Sequence, residues 1–278
     1  MREKDKKIKK KHDVKTGYFE DRLPYARIGN KSNILVIIEG LSFNHEPPSG
    51  YMLRRYVKSA RPFMEDYTVY LIGRKQNVPE DYTFTDMAND YANMIQREFK
   101  KPVFIMGAST GGQIAQYLAA NHPDTVKKLI IISAAYRVSE KGVEVERKAA
   151  ECFKQGKYGK SLATLLDLIF SSRITRSIPK TLTWLFGKRF MGSIKYPNDF
   201  LTEVRGDIGM NFKDRLKDIK APTLVLSGEL DICYTADDVR MTVEGIPNAK
   251  LILYEGRGHN LAGKWKVLQK DILEFLNI

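Results

Sequence analysis

Short apolar runs alternate along this chain with stretches in which apolar residues recur every three or four positions. The runs Ile34–Ile38, Tyr67–Ile72, Val103–Met106, Leu129–Ile132, Thr223–Leu226 and Lys250–Tyr254 read as strands. They are apolar with little alternation, so both faces must be covered, as in a parallel sheet between layers of helices. The helical stretches are Phe84–Phe99, Gln113–Ala120, Ala236–Val243 and Trp265–Leu276. Strands and helices in alternation predict βαβ units, hence an α/β fold with a mostly parallel sheet flanked by helices. Gly17–Gly29 predicts two short strands suited to an antiparallel edge.

Residues 137–203 interrupt this rhythm and contain no convincing strand. Leu162, Leu165, Leu166, Ile169 and Phe170 share one helical face, and a second apolar cluster follows at Leu182, Trp184, Leu185 and Phe186. The expected organisation is a basic flexible tail at 1–15, a core at 16–136 and 204–278, and a helical cap at 137–203. An ordinary pair of peripheral helices is the plainer alternative for the insert.

The composition, 43% hydrophobic and 28% charged over 278 residues, suits one large domain with a buried core. No apolar run approaches the roughly 18 residues of a membrane-spanning helix, which argues against a transmembrane protein. The charged stretch from Arg2 to Lys15 makes a secretory signal unexpected. Two cysteines, Cys152 and Cys233, make neither a disulfide framework nor a Cys-rich zinc site, so the expected compartment is the reducing cytoplasm. The formal charge of +13 is concentrated. Residues 1–15 carry eight Lys/Arg against three Asp/Glu, and residues 137–200 thirteen against six. No zinc-finger, helix-turn-helix or aromatic RNA-binding pattern accompanies this charge, so a nucleic-acid partner is not expected. A basic insert suits anionic substrates or peripheral contact with an anionic membrane.

The strongest chemical signal is Gly107-Ala108-Ser109-Thr110-Gly111-Gly112, between a strand and a helix. This is the setting of a G-x-S-x-G nucleophile elbow. The turn is so sharp that residues two before and two after the serine must be small. It lifts the Ser109 hydroxyl above the sheet, at the amino end of a helix. A serine hydroxyl needs a base. His12 lies in the basic tail, His122 precedes Pro123 at a helix end, and His45 lies in the loop after Ile34–Ile38 as a pocket-lining candidate. His259, in the loop after the last strand, opens on the same sheet edge as Ser109 and is the preferred base. Asp231, after Thr223–Leu226, is the acid expected to orient it. Glu229 is its rival, two residues away. Cys233 lacks an elbow and reads as packed loop. Gly159-Lys160-Ser161 lacks the glycine a phosphate-binding loop needs five residues before its last glycine.

With its elbow, its Asp231 loop and Gly258-His259 in the chain order Ser–Asp–His, the sequence resembles the α/β-hydrolase superfamily from about residue 17 to 278. The resemblance implies an eight-stranded sheet with a cap inserted after the sixth strand. It also implies an oxyanion hole formed by the backbone N–H groups of Leu41 and Thr110. Many relatives have His-Gly where this chain has Glu39-Gly40, and Gly73-Arg74-Lys75 replaces the usual Asp- and Gly-rich turn. Glu39 is expected to pair with a cation such as Arg74. A serine at the elbow argues against dehalogenases and epoxide hydrolases of this fold, which use aspartate. It looks similar to small carboxylesterases and cofactor-free perhydrolases.

The expected function is therefore a serine hydrolase acting on a small-molecule carboxylic ester or related acyl bond, without metal or cofactor. The alternatives are a monoacylglycerol lipase or lysophospholipase, or a non-catalytic ligand-binding protein of the same fold.

Overall fold

The computed structural model describes residues 3–169, 183 and 194–277. Its centre is a sheet of eight strands: β1 (Lys15–Tyr18), β2 (Pro24–Ile28), β3 (Asn33–Ile38), β4 (Tyr67–Ile72), β5 (Val103–Ala108), β6 (Val126–Ile132), β7 (Thr223–Gly228) and β8 (Ala249–Tyr254). Their order is β1-β2-β4-β3-β5-β6-β7-β8. β1 and β2 form the antiparallel edge foreseen for Gly17–Gly29, and β4, β3, β5, β6, β7 and β8 run parallel. Ile38 pairs with Gly107, Ala108 with Ile132, Ile132 with Leu226 and Gly228 with Tyr254. The loops after β3, β5, β6, β7 and β8 therefore leave one carboxyl edge close together.

Both faces are covered, which is why the strands are apolar throughout. Val36, Ile38, Ile105, Ile131 and Val225 pack with α3 (Phe84–Met94), α4 (Thr110–Asn121) and α8 (Ala236–Gly245). Leu35, Phe104, Met106, Ile130, Leu224 and Leu226 pack on the other side with α2 (Gly50–Ala60) and α9 (Trp265–Asn277). Thr83 starts α3 with a capping box, its hydroxyl accepting from the Asp86 N–H while Asp86 accepts from the Thr83 N–H. A π-helical turn, Ile95–Phe99, continues α3 to the predicted end and closes at Lys100 in the left-handed region.

Some elements differ from expectation. The tail expected to be flexible holds a helix, α1 (Glu3–His12), anchored where buried Asp5 accepts the Gly50 N–H at 3.0 Å. α2 was not foreseen, although Leu53, Tyr56, Val57 and Ala60 make its buried face at helical spacing, with Arg54, Arg55 and Lys58 on the solvent side. The segment between β6 and β7 carries α5 (Glu140–Lys154), α6 (Tyr158–Ile169) and α7 (Pro197–Gly209). α7 runs past the expected boundary at 203. Of the predicted face of α6, Leu165 is buried while Leu162, Leu166 and Ile169 are half-buried, and Ser161, Ala163 and Leu168 are buried beside it where α5 packs along the helix. Phe170 and the cluster Leu182, Trp184, Leu185 and Phe186 lie outside the described residues. Among the described residues no helix is long and apolar enough to cross a membrane.

Candidate active site

Ser109 sits between β5 and α4 with φ 53° and ψ −127°, a conformation costly for any side chain-bearing residue. The surrounding packing enforces it. A Cβ on Gly107 would lie 2.4 Å from the Gly111 carbonyl oxygen, and one on Gly111 would lie 2.3 Å from that of Ile38 and 2.4 Å from that of Glu39. The small residues demanded by the motif are thus glycines because backbone lies against them. The Ser109 N–H donates to the Ile132 carbonyl, and its own carbonyl accepts from Gly112 and Gln113.

Asp231 and His259 meet at the same edge. His259 Nδ1 lies 2.9 Å from Asp231 Oδ2, and the Asp231 side chain is fully buried. Its other oxygen accepts N–H bonds from Cys233 at 2.8 Å and Tyr234 at 3.2 Å. The two loops are strapped by backbone. The Leu230 N–H donates to the Arg257 carbonyl, and a Cβ on Gly228 would strike the Arg257 and Gly258 carbonyl oxygens. Asp231 is the acid beside the ring, while Glu229 accepts from the Gly256 N–H. A carboxylate only accepts, so Nδ1 carries the proton and Nε2 keeps its lone pair.

No hydrogen bond between Ser109 and His259 is among those of the described residues. The Ser109 hydroxyl lies beside that of Tyr234. The Tyr234 ring stacks on His259, with centroids 5.7 Å apart and an interplanar angle of 27°. Its buried hydroxyl has no partner of good geometry. Burial first, then Asp207, pushes the Tyr234 phenol well above its ordinary range.

The sequence reading missed a set of buried acids around the elbow. Thr110 Oγ1 donates to Asp207 Oδ2 at 2.7 Å, from α7. Burial holds both Asp207 and Glu146, on α5, well above the usual carboxylate range, and Asp207 raises Glu146 further while Glu203 raises Asp207. One oxygen of each is buried without a partner. Only their apolar neighbours along the helices hinted at burial, and nothing local marks a buried acid.

The loop after β3 also departs from expectation. Arg74 does reach Glu39, but at its backbone carbonyl. Its ion pair is with Glu203 of α7, at 2.5 Å. The Glu39 carboxyl is pushed up chiefly by burial, with Arg74 opposing. Gly40 lies over the nucleophile, a Cβ there falling 3.2 Å from Ser109 Cβ. Leu41 follows it, and the Thr110 N–H belongs to the open first turn of α4. His45 is buried against Glu203 and is no rival base. His122 closes α4 and its Nε2 lies 2.7 Å from Asn89 Oδ1. Cys233 is buried, and burial pushes its thiol up. Among the described residues no group of three His, Cys, Asp or Glu side chains could hold a metal ion.

Residues 73–264 match the family described as serine aminopeptidase S33 (Hydrolase_4). The chain is 26% identical over 210 residues to proline iminopeptidase of Lactobacillus delbrueckii subsp. bulgaricus, covering 66% of this chain and 69% of that one. Among solved structures it is similar to MGS-M2, an α/β hydrolase from a Medee basin deep-sea metagenome library (TM-score 0.77, 19% identity, 95% and 98% of the two chains). It is also similar to the enol-lactonase of Burkholderia xenovorans LB400 (TM-score 0.73, 16% identity, 95% and 100%).

Proposed function

The chain belongs to the serine aminopeptidase S33 family of α/β-hydrolases, and on that premise we propose that it is a serine hydrolase cleaving a small carboxylic ester or related acyl bond through an acyl-enzyme. The observation that carries the reading is the His259–Asp231 pair at 2.9 Å, on the sheet edge where the strained elbow presents Ser109. The Ser109 hydroxyl turns from Tyr234 to His259, gives its proton to Nε2 and attacks the carbonyl carbon. Asp231 holds the resulting imidazolium. The N–H groups of Leu41 and Thr110 take the oxyanion, each contributing about 3 kcal/mol. His259 returns the proton to the leaving group, and water attacks the acyl-enzyme by the same route. Helices α5, α6 and α7 act as the cap over this edge, and the substrate's acyl or alkyl group packs beneath them.

Ser109→Ala is expected to keep the fold and to abolish turnover of p-nitrophenyl acetate and butyrate. Undiminished turnover overturns the reading. A second reading, removal of an amino-terminal residue from peptides, is supported by the family match and the iminopeptidase relative. Comparing p-nitrophenyl esters with prolyl p-nitroanilide separates the two. Extending the ester series to long chains tests the lipase form.

A further inference from the structure

The buried charges behind the oxyanion loop have no part in the proton transfers described above. Arg74 and Glu203 are 2% and 0% exposed, and one lies in the loop after β4 while the other lies on α7. The guanidinium engages Glu203 with two nitrogens, Nε to Oε1 at 2.7 Å and Nη2 to Oε2 at 2.5 Å. The same fork donates to two consecutive carbonyls of the loop after β3: Nη1 to Glu39 at 2.7 Å and Nη2 to Gly40 at 2.8 Å. Glu203 completes the hold by accepting the Ser42 N–H at 3.2 Å. His45 Nε2 lies 2.5 Å from the first Glu203 oxygen, and its Nδ1 lies 3.1 Å from the Lys75 carbonyl. One turn earlier on α7, Asp199 accepts the N–H groups of Asn77 and Val78. The two loops flanking Arg74 and the insert helix are thus joined through one buried carboxylate. Burial raises the Glu203 carboxyl, but Arg74 and then His45 outweigh it and keep it below the ordinary range.

We propose that Arg74 and Glu203 are positioning residues that fix the peptide between Gly40 and Leu41 over Ser109. In a trans peptide the carbonyl and the N–H point in opposite directions. A guanidinium fixed on the Gly40 carbonyl therefore turns the Leu41 N–H to the side away from itself. The loop cannot rotate that N–H without giving up a buried, charge-assisted bond. Gly40 bears no side chain because the Ser109 Cβ lies directly against it. The planar fork is essential, since its separate nitrogens make four bonds at once, to two carbonyls and both Glu203 oxygens, where an ammonium has three donors on one nitrogen. The catalytic consequence rests on the acyl-hydrolase reading. The hold on the loop does not.

The test uses the full chain, Arg74→Lys and Glu203→Gln. The first readout is amide hydrogen exchange at Ser42, whose N–H donates to Glu203. The wild type is expected to protect this amide. In either variant exchange there rises about tenfold or more, while β5 and α4 stay protected. The second readout is p-nitrophenyl acetate hydrolysis, in which kcat is expected to fall about a hundredfold, as for loss of one oxyanion donor, with KM nearly unchanged. Fast exchange of the Ser42 amide in the wild type overturns the proposal even if neither variant folds. So does unchanged local exchange in a folded variant, or local loosening with kcat intact. A wild type that neither hydrolyses esters nor takes a fluorophosphonate label on Ser109 removes the hydrolase reading instead, and exchange then decides the hold alone.

Discussion

The carbonyl oxygens of Ile38 and Glu39 lie where a side chain on residue 111 would begin. Gly111→Ala should therefore force β3 and α4 apart and destroy the fold rather than merely the activity. Soluble yield and circular dichroism will show this. Tyr234 presents the opposite case, a buried hydroxyl without a partner of good geometry. An unmet buried polar group costs about 1–3 kcal/mol. Tyr234→Phe is expected to unfold at a higher denaturant midpoint and to acylate Ser109 at least as fast as the wild type. At this scale the elbow was legible because its demand is steric and local, contained in Gly107 to Gly111. The partners of Arg74 were not legible. The guanidinium was expected beside the Glu39 carboxyl, close in sequence terms to the loop it serves, yet the carboxylate that meets it is 129 residues away.

Helix boundaries followed capping and backbone chemistry wherever these were visible. Thr83 and Asp86 define the start of α3, and Thr83→Ala should lower stability by about 1 kcal/mol in a urea titration, with no effect on KM. α4 starts at Thr110, ahead of the predicted Gln113, because Gly111 and Gly112 are poor helix formers held in place by tertiary contacts. α2 went unread, although its face of Leu53, Tyr56, Val57 and Ala60 follows helical spacing. In α6 apolar residues encircle the helix, and the packed neighbour α5 decides that Leu165 is inside while Leu162, Leu166 and Ile169 are only half-buried.

Across the whole molecule, α5 and α7 bring Glu146 and Asp207 together beside the elbow, with both pKa values raised by burial. The folded chain holds these protons more tightly than the unfolded one. Stability therefore falls as pH climbs from the ordinary Glu value of 4.5 towards the raised one. Glu146→Gln does not titrate, so its melting temperature should exceed that of the wild type by a margin that grows as pH rises above the ordinary carboxylate range, at about 2–4 °C per kcal/mol. Glu203 contributes with the opposite sign. Its lowered pKa gives stability that is full above the ordinary value and is lost as pH falls through the lowered one.

The sequence by itself determined the alternation of buried strands and helices, the elbow around Ser109, and the residues Asp231 and His259 in loops at one sheet edge. These follow from hydrophobic period, steric limits and chain order, all of which are local. Tertiary structure alone decided which acids are buried, which carboxylate faces Arg74, and that the Ser109 hydroxyl rests against Tyr234. Those are contacts between segments far apart in the chain, and a side chain's charge state depends on what packs around it.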